Sequence, residues 1–128
     1  MKIKLRKADI LYTRLQRFRF NYTCQKCGKK YSEYDTKSLQ NLGVSHYYGR
    51  SRENTRFGDE NCTLLCNFPC HQKWGGEERG DYTEYMIERL GQGGFEALTL
   101  RANTYKKRDD KTIEKKLKEK LKEVQDEL

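Results

Sequence analysis

Apolar residues are scarce in this chain: 34% of its 128 residues are hydrophobic, and its mean hydropathy is -1.12. No run of about 18 apolar residues occurs, so no membrane-spanning helix is expected. The opening MKIKLRKADI has charge but no apolar segment ahead of a small-residue cleavage site, so a cytoplasmic location is expected rather than secretion. Internal repeats and low-complexity linkers are also missing, and histidine is reduced to two residues. A short, polar chain buries a low fraction of its surface and usually needs a staple. Five cysteines offer one. In a reducing compartment they favour metal binding over disulfides.

Acidic residues are almost absent from the first quarter. Residues 1–30 hold ten Lys/Arg against one acid, whereas residues 31–128 hold seventeen against eighteen. The whole net charge of +8 therefore sits at the N-terminal end. A basic segment of this density attracts polyanions, of which nucleic acid is the commonest soluble one. A solvated basic face with no specific partner is the plain alternative.

The apolar pattern predicts a helix over 8–19, with Leu11, Leu15 and Phe18 on one side and Arg14 and Arg17 on the other. Residues 31–42 read as polar and irregular. Val44–Tyr48 and Cys62–Cys66 read as the strands of a hairpin with a long, turn-rich tip. A helical turn is expected within 70–79. Asp81-Tyr-Thr-Glu84 matches a capping box for a helix to about Leu90, with Gly91 as its stop. A further helix follows over 95–102. Residues 110–128 form an amphipathic Lys/Glu helix striped by Ile113, Leu117, Leu121, Val124 and Leu128. The stripe suits packing on the chain's own domain or, as the other possibility, self-association or a protein partner.

Cys24-Gln-Lys-Cys27-Gly28 has the spacing of a zinc knuckle, with Gly28 free to take positive φ. Cys66 and Cys70 make a second close pair. Four thiolates on two short turns close a tetrahedral site with no open position, which makes a structural zinc rather than a catalytic one. Both histidines, His46 and His71, fall in the segment from hairpin to helix, with Asn61 between them.

The stretch SHYYGRSRENTRFGDENCTLLCNFPCHQKWGG, following CQKCG, resembles the HNH, or ββα-metal, endonucleases. It is most similar to phage-type members, including recombination-associated nucleases, and the likeness extends over about residues 7–103. The resemblance implies an α+β chain with a small ββα-metal core at about 43–80, a structural zinc knuckle, and flanking N- and C-terminal helices. Residues 1–103 would be the zinc-stapled nuclease domain and 104–128 a charged C-terminal helix. It further implies hydrolysis of DNA phosphodiester bonds in a bacterial or phage-infected cytoplasm, with one catalytic Mg²⁺ or Mn²⁺. His46 matches the general base, Asn61 the residue that fixes the base or its loop, and His71 the ligand of the catalytic ion.

Two departures from the family pattern stand out. The residue before the first histidine is Ser45, where many members carry a second metal ligand, so Asn61 or a carboxylate such as Asp59 would complete the site, or the metal would keep more water. Cys66-Asn-Phe-Pro-Cys70 has one residue more than the usual pair, a difference that Pro69 could absorb by starting a helix. The insertion leaves a rival zinc set in which Cys62 replaces Cys66 or Cys70. Arg14, Arg17, Arg19, Arg50 and Arg56 are the candidate DNA contacts. Trp74, Tyr47 and Tyr48 are expected in a small core. A non-catalytic zinc-ribbon nucleic-acid binder and a phage packaging or recombination accessory protein are the other functional classes.

Overall fold

Residues 4–126 are described by a computed structural model. Helix α1, Lys7–Arg19, starts where the Asp9 carboxylate accepts the Arg6 backbone N–H at 2.8 Å. It places Ala8, Leu11, Tyr12 and Leu15 in the core. A single turn, α2 (Thr36–Leu39), interrupts the stretch expected to be irregular. Its start was legible as Asp35, whose carboxylate accepts the Ser38 N–H at 3.1 Å.

Strands β1 (Leu42–His46) and β2 (Cys62–Cys66) form a two-stranded antiparallel sheet, paired from Leu42↔Cys66 to His46↔Cys62. Period-2 alternation puts Leu42, Val44 and His46 on one face, together with Cys62, Leu64 and Cys66. That face turns to α1, where Tyr12 meets Cys62. The other face carries Ser45 and Thr63 toward Tyr82. Strand β1 ends at His46, two residues before the expected Tyr48, because Tyr47 and Tyr48 turn away to bond Asn61. One turn of helix, α3 (Glu53–Arg56), forms the hairpin tip.

A wide helical turn, Asn67–His71, leads from β2 into α4, Gln72–Gly75. Pro69 does not open a regular helix as expected: Phe68 before it is extended, and the Phe68–Pro69 bond is cis. The next helical segment, α5, spans Arg79–Ala102 and begins two residues before the expected Asp81 cap. It breaks at Gly91, whose φ of 77° lies where only glycine is at ease, so the expected stop and restart are both present. Trp74 stacks on Tyr82 with centroids 4.7 Å apart, and Tyr47 meets Tyr48, Tyr82 and Phe95 edge-on. These aromatics are core, as expected.

Helix α6, Asp110–Asp126, lies on α1 and buries Leu117 and Leu121 there, with Ile113 and Val124 partly covered. Its stripe thus packs on the chain's own helix α1, the first of the two expected arrangements. The fifth stripe residue, Leu128, lies outside the described residues.

A buried charge network joins α1 to the hairpin tip. Arg56 is 5% exposed and donates to both Asp9 oxygens, at 3.0 and 2.6 Å. Arg6 joins Glu53 and Asp110 to the same end of α1. Burial works against the charged Asp9 carboxylate, yet the bonds from Arg56 and the Arg6 N–H outweigh it and hold its pKa below the usual value. Truncating one member of such a pair strands the other's charge, at a cost of about 3–5 kcal/mol. Arg56→Ala should therefore lower Tm by roughly ten degrees or more in a thermal melt. Asp9→Asn should cost nearly as much, because the neutral amide leaves the Arg56 charge unpaired and turns an NH2 group toward one of its donors. Equal melting of all three proteins would show that the pair is not a support.

Candidate metal centre and histidine site

The Sγ atoms of Cys24, Cys27, Cys66 and Cys70 all lie within 4.8 Å of one another. A tetrahedral Zn–S₄ site, with bonds of 2.3 Å, needs sulfur–sulfur separations of about 3.8 Å. The donor set therefore fits a structural metal such as zinc. Local backbone geometry builds it from both sides. In the knuckle, Gly28 at φ 77° donates its N–H to the Cys24 carbonyl at 2.9 Å, and the Gln25 N–H bonds Leu64 of β2 at 2.8 Å. Burial disfavours the Cys24 thiolate, but the N–H groups of Cys27, Cys66 and Lys26 prevail and bring its pKa down to about 7. Burial and the neighbouring thiols push Cys66 and Cys70 upward instead. A cation at the centre would reverse that upward push.

Cys62 is not part of this set. It is 1% exposed, faces the Arg56 carbonyl at 3.7 Å, and burial pushes its thiol up to about 12. The rival zinc set is thereby corrected. Zinc should be found at about one ion per chain. Cys62→Ser should retain it, whereas Cys27→Ser, at the exposed corner, should lower metal content and Tm together. Elemental analysis with a melt of each variant checks this, and metal-free wild-type protein that melts no lower than the loaded form would refute the staple.

His46 ends β1 with Nε2 buried and without a partner. Burial and the positive charge of Arg50 push its pKa down to about 4, against the Arg56 carbonyl, which favours the charged ring. His71 closes the wide turn after β2, and burial and the same Arg50 charge lower its pKa too. One arginine thus acts on both imidazoles. Its own Nε is buried and unpartnered, and its backbone carbonyl is held by Arg56 at 3.0 Å. The network behind the tip therefore positions Arg50.

The other sequence candidates lie elsewhere or are occupied. Asn61 is 0% exposed. Its Oδ1 accepts the Tyr48 N–H at 2.9 Å, and its Nδ2 donates to the Tyr48 and Thr55 carbonyls. The carboxamide fastens the loop behind His46 and spends its oxygen and nitrogen on backbone partners, which corrects its reading as a metal ligand. Ser45 bonds Tyr82 on the opposite sheet face, and Asp59 accepts from Tyr12 and Arg19. Arg56 serves Asp9, and Arg17 donates to the Leu42 and Leu39 carbonyls, so both act as internal braces rather than DNA contacts. Arg19 is partly engaged by Gln16 and Asp59. Arg14 is exposed, with no ion pair or side-chain bond among the described residues. Sequence reasoning missed Asp9, although its being the only acid in the first thirty residues was a signal. It also missed Arg89, which collects the carbonyls of Asp59, Glu60 and Cys62.

No family model, curated protein or solved structure matches this chain. None of the described helices is long and apolar enough to cross a membrane.

A depressed histidine pKa binds fewer protons in the folded state, so His46 contributes its stability above the unfolded value of about 6.5 and loses it as pH falls toward 4. By NMR on zinc-loaded protein without added Mg²⁺ or Mn²⁺, His46 should titrate near 4, against about 6.5 for a free histidine. A midpoint at 6.5 would mean that the ring is solvated and not enclosed.

Proposed function

We propose that the chain is a metal-dependent HNH endonuclease that hydrolyses DNA phosphodiester bonds. The observation that carries this reading is the pair of buried, unpartnered nitrogens, His46 Nε2 and Arg50 Nε, beside a second neutral imidazole. A buried donor and a buried acceptor left open at one place call for a ligand that accepts from one and donates to the other. A phosphodiester with an attacking water does both. The guanidinium would hold a phosphate oxygen, and the imidazole would take a proton from water.

His46, neutral well above pH 4, is the general base. Nε2 removes a proton from water as the water oxygen bonds phosphorus; the bond to the leaving oxygen then breaks, and that oxygen takes a proton from solvent. A base with so low a pKa is a weak one. Burial is the larger cause of that low value; a DNA phosphate against Arg50 would offset the second, the guanidinium's charge, and so strengthen the base in part. Asn61 holds the loop behind His46 through Tyr48 and Thr55. His71 would hold the divalent ion, which when bound stabilises charge on the phosphate and leaving oxygen. With an imidazole as its protein ligand and no carboxylate beside it, the site suits Mn²⁺ better than Mg²⁺.

Purified protein with supercoiled plasmid should cut when Mn²⁺ is added, less with Mg²⁺, and not with EDTA. His46→Ala should abolish cutting while zinc content and DNA binding stay near wild type, since a general base acts on the transition state. His71→Ala should also abolish it, with partial recovery at high Mn²⁺. Asn61→Ala should lower Tm as well as rate, because it leaves buried carbonyls unpaired. A zinc-ribbon binder would show no cutting to lose. His46→Ala protein that cuts at the wild-type rate, free of contaminating nuclease, ends the assignment.

A further inference from the structure

Phe68 is a large apolar side chain held in the open, 68% exposed, on the turn between two of the clustered thiols. Single exposed apolar residues are common and need no explanation when they sit on mobile surface. Phe68 is different in how firmly its backbone is anchored. On one side the Asn67 N–H bonds the Asn41 carbonyl at 2.6 Å, and the Asn67 side chain bonds Gln40 at 3.0 Å. On the other side Cys70 is buried in the thiol cluster. Leu5, Ile10, Tyr34, Leu100 and Tyr105 are also exposed, but each lies outside the segment that carries His71.

Phe68 precedes His71 by three residues, so the two Cα atoms are at most about 11 Å apart. Successive bases rise about 3.4 Å along a strand. A phosphate held at His71 therefore brings Phe68 within about three base steps of the scissile bond. Its neighbours Gln72 and Lys73 are exposed and include one positive charge, with Glu77 at the far rim of the same shallow groove. Rigid apolar wedges beside cationic or amide side chains are the means by which proteins part stacked bases and kink a duplex.

We infer that Phe68 is a wedge that enters a base step within a few steps of the scissile phosphate and makes cutting depend on how easily that step unstacks. The inference rests on the nuclease reading above, yet its central readout needs no cleavage. In a His46→Ala background, which binds without cutting, DNA with 2-aminopurine placed along the site should brighten at one step when protein binds. Phe68→Ala in that background should lose the brightening while retaining DNA binding and zinc, and Phe68→Trp should keep it. With His46 intact, Phe68→Ala should cut a perfect duplex at least about tenfold more slowly, and a duplex with a mismatch at that step at close to the wild-type rate. Brightening that survives Phe68→Ala, or no brightening with wild-type Phe68 on bound DNA, overturns the wedge and leaves the nuclease standing. Failure to bind or cut DNA at all overturns both.

Discussion

Four thiols at one point are the constraint on which the rest of the fold depends. Two come from a knuckle that follows α1, and two from the end of β2 and the turn after it. Each pair belongs to an element too short to persist alone, since a two-stranded sheet is marginal in water. Unmetallated, the cluster is in conflict: backbone N–H groups favour a thiolate at Cys24 while its neighbours are driven toward the neutral form. A dication held there would resolve that conflict by favouring the thiolate at all four, and the free energy of binding it would become folding free energy. The consequence reaches beyond stability, because Cys66 and Cys70 bracket the turn that ends in His71.

The second support is electrostatic and lies at the opposite end of the hairpin. Asp9 holds Arg56, and Arg56 holds the carbonyl of Arg50. Asn61 ties Tyr48 to Thr55 across the same loop. Buried polar groups in these chains are satisfied one after another until Arg50 Nε and His46 Nε2, where satisfaction stops. Burying polar atoms without partners costs free energy, and these two nitrogens are the observation on which the proposed contact with a phosphodiester rests.

Much of this was legible in the sequence, and the failures have a common cause. The thiol set follows from Cys-x-x-Cys spacing, the hairpin from β-prone runs around a turn-rich tip, and the break at Gly91 from the one residue that tolerates its φ. The packing of α6 on α1 shows where its buried residues go, which the stripe alone left open. The errors fell on arginines. Arg17 and Arg56 looked like phosphate ligands because sequence shows charge but not burial, and each proved to be bound to a carbonyl or carboxylate across the fold. Side-chain partners separated by tens of residues, as Asp9 and Arg56 are, leave no local pattern to read.

The same corrections bear on how the site would handle an ion. With Asn61 turned inward and Ser45 on the far sheet face, neither of these two offers an oxygen to an ion at His71. Arg50 places a positive charge near both imidazoles, which works against a second cation in the absence of DNA. A phosphate would change both conditions at once, since its oxygens add ligands and its charge offsets the guanidinium. Ion and DNA would then bind with positive coupling, each raising the other's affinity by the same factor. Under the nuclease reading, the missing carboxylate is therefore a safeguard rather than a defect: a complete hydrolytic centre assembles only on its substrate.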